Sequence, residues 1–264
     1  MYHKFLQYVR FLKKKKNESF KKSQSIPKIS IITSVFAADK FIASFLCDIV
    51  QQTVFEQCEL ILINAHSSGH EEQVIFEYMK RYSNIIYVKL GYDPGLYGVW
   101  NIGIKLARGI YITNANVDDR VRHDCYELHA NMLDSDSTID LVYSDIYVTY
   151  KPNETLIKHS AREVQESAEF SIQNMYNALP NDHPMWRKDM HQKYGLFDDK
   201  YISAGDYEMW IRAVAGGAKF KKVHGVLGLH YVNPNGLSTS VGNSAISAKE
   251  AQEIRAKYQF LWNK

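Results

Sequence analysis

Cysteine is scarce in this chain, and the three that occur, Cys47, Cys58 and Cys125, fit neither a disulfide framework nor a metal-ligand spacing. The expectation is a reducing, cytosolic setting, with Cys47 and Cys58 as small core residues in or beside apolar runs. Long apolar runs are missing as well. None approaches the roughly 18–20 residues of a bilayer span, and the N-terminus shows no uninterrupted apolar core with a small-residue cleavage site. The Gly-x-Gly-x-x-Gly fingerprint is absent after the first strand, which disfavours a dinucleotide-binding dehydrogenase. A Gly-rich phosphate loop with a basic residue is absent there too, which disfavours a nucleotidyltransferase. Excess charge of one sign is small: the formal net charge is +3, so no nucleic-acid partner is expected from charge.

What is present is an ordinary globular composition, 45% hydrophobic and 23% charged over 264 residues. That is enough for one large α/β domain. The basic residues are unevenly placed. Residues 1–22 carry eight Lys and Arg side chains against Glu18 alone, interleaved with Phe5, Leu6, Tyr8, Val9, Phe11 and Leu12. Residues 1–27 therefore read as a basic amphipathic arm and linker, an anchor for an anionic membrane surface or an arm packed on its own domain.

From Lys28 the apolar pattern alternates between strand and helix. Strands are predicted at 28–33, 59–63, 84–89 and 110–113, with helices at 39–52, 70–82 and 96–108 between them. That order implies a mostly parallel sheet with helices on both faces. Ligands of such sheets bind beyond the carboxyl ends of the strands, where the loops after Thr33, Ile63 and Thr113 meet. The loop after Thr113 reads Asn114-Ala-Asn116-Val-Asp118-Asp119. Two adjacent carboxylates at the end of a core strand suit Mg²⁺ or Mn²⁺ carrying substrate phosphates; a polar turn is the alternative. Beyond it, a strand is expected over 140–150, a short helix over 189–194, a helix over 206–215, two short strands near 219–223 and 226–231, and a terminal helix over 245–262.

The runs Ile29-Ser-Ile-Ile-Thr-Ser-Val-Phe36, Glu59-Leu-Ile-Leu-Ile-Asn64, Asp93-Pro-Gly-Leu-Tyr-Gly-Val-Trp-Asn101, Asn116-Val-Asp118-Asp119 and Ala204-Gly-Asp-Tyr-Glu-Met-Trp-Ile-Arg212 resemble, in order and spacing, the family 2 glycosyltransferases. Those are inverting enzymes of the GT-A fold. The resemblance spans about residues 28–240. It implies an α/β GT-A (nucleotide-diphospho-sugar transferase) fold in one catalytic domain, 28–244, divided into a nucleotide-sugar half (28–120) and a smaller mixed acceptor half (121–244), followed by a C-terminal helix (245–264).

It implies Asp206 as the general base, with Glu208 its rival and an N-cap its alternative. The implied donor contacts are Ser34, Val35, Phe36, Asn64, Asp93, Asn101 and Asp118; Asp93 could equally cap the Pro94–Gly95 turn. The implied metal ligands for Mn²⁺ or Mg²⁺ are Asp118 and Asp119, with His230 as a further one, and His183 and Trp186 border the acceptor. The expected partners are a nucleotide-diphosphate sugar, UDP-linked, and a glycan or lipid-linked acceptor, in assembly of bacterial surface polysaccharide or glycoconjugate on the cytoplasmic side of the membrane. Two departures stand out: Asn64-Ala65-His66-Ser67 replaces an acidic loop, and Asn116 replaces the first acid of Asp-x-Asp. A GT-A-like protein that has lost catalysis and binds a membrane or partner through the arm is the alternative from another class.

Overall fold

The computed structural model describes residues 26–177, 180 and 182–263; the basic arm expected over 1–22 lies outside them. The sheet is built around β1 (Ile29–Val35), β2 (Cys58–Asn64), β3 (Ile85–Lys89) and β4 (Tyr111–Asn114), all parallel in the order β3-β2-β1-β4. Every residue of β2 and β4, and all but Ser34 of β1, is buried, because helices cover both faces of a parallel sheet. Helix α1 (Ile42–Ile49) places Ile42, Phe45, Leu46 and Ile49 on one face and α2 (Glu71–Arg81) adds Ile75 to the same core. Helix α3 (Gly95–Leu106) packs Tyr97, Val99, Trp100 and Ile104 into a second core on the opposite face. The alternation legible in the sequence is therefore the observed architecture, an α/β sheet with mixed strand directions.

The second half completes that sheet. Strand β5 (Arg120–Val121) leads into α4 (Cys125–Ser135), a helix that the sequence reading had not singled out, and β6 (Leu141–Thr149) follows. A short strand β7 (Glu163–Gln165) flanks β6. Strand β8 (Met185–Arg187) inserts antiparallel between β4 and β6. Short helix α5 (Met190–Lys193), helix α6 (Gly205–Ala215), strand β9 (Phe220–Tyr231) and helix α7 (Val241–Lys257) close the chain. The order is β3-β2-β1-β4-β8-β6-β9-β5, with β7 paired to β6 off this path, nine strands among the described residues. The two short strands expected over 219–231 are one strand with a bulge. Its register against β6 jumps between Tyr143 and Asp145, and Gly225 takes φ +114° there, a conformation a side chain would strain. Helix α7 is no detached appendage: Ile254 and Tyr258 lie in the core with α6.

Candidate active site

The acidic loop forms because β4 ends at Asn114 beside Ile32 of β1, and the chain must turn before re-entering the sheet as β5. Arg120 braces that turn. Its buried guanidinium donates to the carbonyls of Val117 and Asp119, to Ser44 Oγ on α1 and to Asn153 Oδ1. Four backbone and side-chain groups that would otherwise wander are thereby tied to one planar donor.

Pairing of β5 with β9, Arg120 against Leu229, brings His230 and Tyr231 beside the acids. Asp119 is buried and accepts from the Tyr231 N–H at 2.9 Å and from Asn116 Nδ2 at 3.0 Å. His230 Nδ1 stands 3.2 Å from Asp119 Oδ1 and 3.0 Å from Asp182 Oδ2, without hydrogen-bond alignment to either. Burial alone would push Asp119 up, but the adjacent imidazole overrides it and holds the carboxyl well below the usual range. Burial likewise opposes charge on His230, yet Asp182 and Asp119 raise it to about 11. Asp118 is raised, by burial first and by Asp119 second, while accepting from Asn233 Nδ2 at 2.8 Å.

Asp119, Asp182 and His230 each offer one ligand atom, and these atoms lie within 4.8 Å of one another. Two carboxylate oxygens and an imidazole whose facing nitrogen is unaligned fit a divalent ion of the Mn²⁺ type. Asp182 was missed from sequence. Its only signal was its place in the polar run before Pro184, where His183 drew the attention. Asp118 stands outside this group of three and is held instead by Asn233.

Across the opening lies Asp206, which shares the lining with Asn114, Asn116, Asp182, Ser203, Tyr97, Trp100 and Trp210. Asp206 opens the first turn of α6, where a carboxylate is favoured by the helix dipole. Burial raises it to about 6, against lowering by the Tyr207 N–H at 2.8 Å and the Tyr97 hydroxyl at 3.1 Å. Gly205 is required beside it, since a Cβ there would stand 2.7 Å from the Tyr97 ring. The rival Glu208 points elsewhere. It is buried against Arg212, Lys257 and the Tyr258 hydroxyl, which hold its carboxyl below its ordinary value although burial alone would raise it.

The remaining expected contacts divide. Ser34 is half-buried and Phe36 exposed at the carboxyl end of β1, open to a ligand. The Val35 side chain is in the core and its carbonyl accepts from Ala65 N–H. Asn64 is buried, with Oδ1 taking the Ser67 N–H at 2.8 Å, so it shapes the loop after β2. Asp93 Oδ1 accepts from Gly95 N–H at 2.8 Å, the turn-capping alternative.

Three expectations need correction. Both ends of the Asn101 amide are taken by the Phe197 backbone, at 2.8 and 3.0 Å, so it pins a loop instead of meeting the donor. Trp186 is 1% exposed and packs on Trp210 and Phe197. His183 is buried behind the acidic loop, facing Asp48, Arg120 and Tyr126. Neither side chain lines the cleft described above, because β8 carries this segment into the middle of the sheet.

The profile of Glycosyl transferase family 2 matches residues 30–194, and the chain belongs to that family. It is 25% identical over 210 residues to an uncharacterized glycosyltransferase of Methanocaldococcus jannaschii, covering 79% of this chain and 72% of that one. It is 31% identical over 121 residues to the minor teichoic acid biosynthesis protein GgaB of Bacillus subtilis, covering 45% of this chain and 13% of that protein. Two solved structures share the fold. Staphylococcus aureus TarS 1–349 in complex with UDP-GlcNAc superposes with TM-score 0.69 at 15% identity, over 88% of this chain and 71% of that one. The mannosyltransferase PcManGT of Pyrobaculum calidifontis, in complex with GDP-Man and Mn²⁺, gives 0.67 at 13% identity, over 96% and 70%. The fold is GT-A, and the chain is a glycosyltransferase by family.

Proposed function

We propose that this chain transfers a sugar from a nucleotide-diphosphate sugar, UDP-linked, to an acceptor hydroxyl with inversion at the anomeric carbon. The observation that carries the reading is the placement of Asp206 and Asp182, with its partners Asp119 and His230, at one cleft beyond the strand ends. Asp206 takes the acceptor proton. The acceptor oxygen bonds to the anomeric carbon, and the bond from that carbon to the diphosphate breaks, the leaving group keeping the electron pair. Asp206 suits this task because a base with a value of about 6 is ionised at neutral pH and still basic enough to accept. Asp119, Asp182 and His230 would hold Mn²⁺ or Mg²⁺, and Asp118, next to Asp119 in the same loop, would face the donor. When bound, the ion supplies neutralisation of the charge that develops on the diphosphate.

The UDP assignment draws on the UDP-GlcNAc carried by the TarS structure, and a role in surface polysaccharide draws on the likeness to GgaB. The test is nucleotide release and thermal shift with UDP-GlcNAc, UDP-galactose and GDP-mannose, each with Mn²⁺ and with EDTA. A metal-dependent rise in melting temperature with a UDP-sugar is expected, since ligand binding stabilises by mass action. No response to any nucleotide would favour the non-catalytic binding alternative and sink the transferase reading.

A further inference from the structure

We infer that Glu250, on the terminal helix α7, is a positioning residue for Asp206, acting through the backbone of Ile202–Ala204 and the hydroxyl of Tyr97. The inference rests on Asp206 being the base.

Three consecutive backbone N–H groups converge on this one carboxylate. Ile202 donates to Oε1 at 2.7 Å, and Ser203 and Ala204 donate to Oε2 at 2.9 and 2.8 Å. Ala204 precedes α6 and has no side-chain oxygen of its own, and no side chain caps that helix. Glu250 therefore takes, from another helix, the amides that lead into α6, including the N–H of the N-cap residue Ala204 that a capping-box acid would take from within the helix. The clamp is buried at its inner end, where Glu250 is 9% exposed and Ala204 7%, and opens toward solvent at Ile202. A carboxylate there with three charge-assisted hydrogen bonds fixes the chain two residues before Asp206.

The fixed segment reaches the base by a second route. The Tyr97 hydroxyl lies 2.7 Å from the Ser203 carbonyl and 3.1 Å from Asp206 Oδ1. It has one hydrogen to give. Both acceptors share that single donor, so one oxygen ties the Ser203 carbonyl to the Asp206 carboxylate. The position of Ser203, set by Glu250, thus sets where the Tyr97 oxygen stands when the base turns over. The groups facing Asp206 are Tyr97 from α3, Asp182 from the loop before β8 and the Tyr207 N–H of its own helix. Glu208 is turned away to Arg212, Lys257 and Tyr258. Helix α7 lies outside both residues 30–194, the segment that the family profile covers, and the wider span of about 28–240 that carries the family blocks.

The substitution Glu250→Gln keeps the shape but turns an NH₂ group toward the amides. Steady-state nucleotide release is measured with the fastest donor among UDP-GlcNAc, UDP-galactose and GDP-mannose, with Mn²⁺, well below the melting temperature of each variant. The expectation is a fall in kcat of about 10- to 100-fold, as misplacing a reacting group produces, with donor KM within about twofold of the parent. Tyr97→Phe, which keeps the ring and removes the hydroxyl, should show the same split and keeps the test open if Glu250→Gln fails to fold. Adding Glu250→Gln to Asp206→Asn should cost no further turnover. A folded Glu250→Gln or Tyr97→Phe protein with parental kcat overturns the inference, and so does an additive loss in the double variant. Parental turnover in Asp206→Asn would instead remove the base assignment itself, and with it this inference.

Discussion

Asp206 carries opposite demands at the residue scale. Its carboxyl is raised from 3.8 to about 6 by burial. Between those values the folded protein binds a proton that the unfolded chain has lost, so stability falls as pH rises through this window, and the full penalty applies above about 6. Asp206→Asn should therefore be more stable than the parent at pH 8, by about 1–3 kcal/mol, with the difference vanishing below pH 4 in urea melts. The same change should lower kcat by about 10²- to 10⁴-fold. In the parent, turnover should fall as pH drops through about 6, where the base becomes protonated; a rate flat from pH 8 to pH 5 would contradict the assignment. At the metal group, Asp182→Asn and Asp119→Asn should each weaken Mn²⁺ binding about 10-fold or more by calorimetry, and Asp118→Asn should do so less, since its carboxylate is held by Asn233.

Elements decide which carboxylate of α6 is free to react. One turn of that helix carries Asp206 into the cleft and Glu208 into a cluster with Arg212, Lys257 and Tyr258. Glu208→Gln leaves two cations short of their partner. It should cost about 1–3 kcal/mol, since both cations keep some solvent, with turnover per folded molecule close to parental; a catalytic loss as large as that of Asp206→Asn would reverse the two roles. Gly205→Ala pushes a methyl group against the Tyr97 ring, and overpacking of this kind costs about 1–3 kcal/mol. Because the displaced groups include Asp206, kcat should fall with it, a result that calorimetry and kinetics on the same sample can separate.

Across the whole molecule, the site exists because the sheet changes direction. Parallel strands β1, β2 and β4 deliver their carboxyl ends to one edge, and antiparallel β8 and the return of β9 bring Asp182 and His230 to the same edge from more than sixty residues away in the chain. Among the described residues no helix is long and apolar enough to cross a membrane. The basic arm supplies the membrane prediction: deletion of residues 1–22 should weaken binding to anionic vesicles with turnover on a soluble acceptor intact, and equal vesicle binding by both proteins would remove the anchor role.

The sequence by itself determined the strand–helix alternation through residue 114, the acidic loop after β4 and Asp206 at a helix start. Each of these is written in local periodicity, or in motifs whose residues lie close together along the chain. It was blind to β8 and α4, because a three-residue strand and a helix of mixed polarity carry no strong period. It also placed His183 and Trp186 at an acceptor wall that the sheet had already buried. Only the tertiary structure decided that Asp182 joins Asp119 and His230, that Glu208 is occupied, and that Glu250 reaches across to the entry of α6. Those facts depend on which distant side chains meet, and no pattern local to any one segment records them.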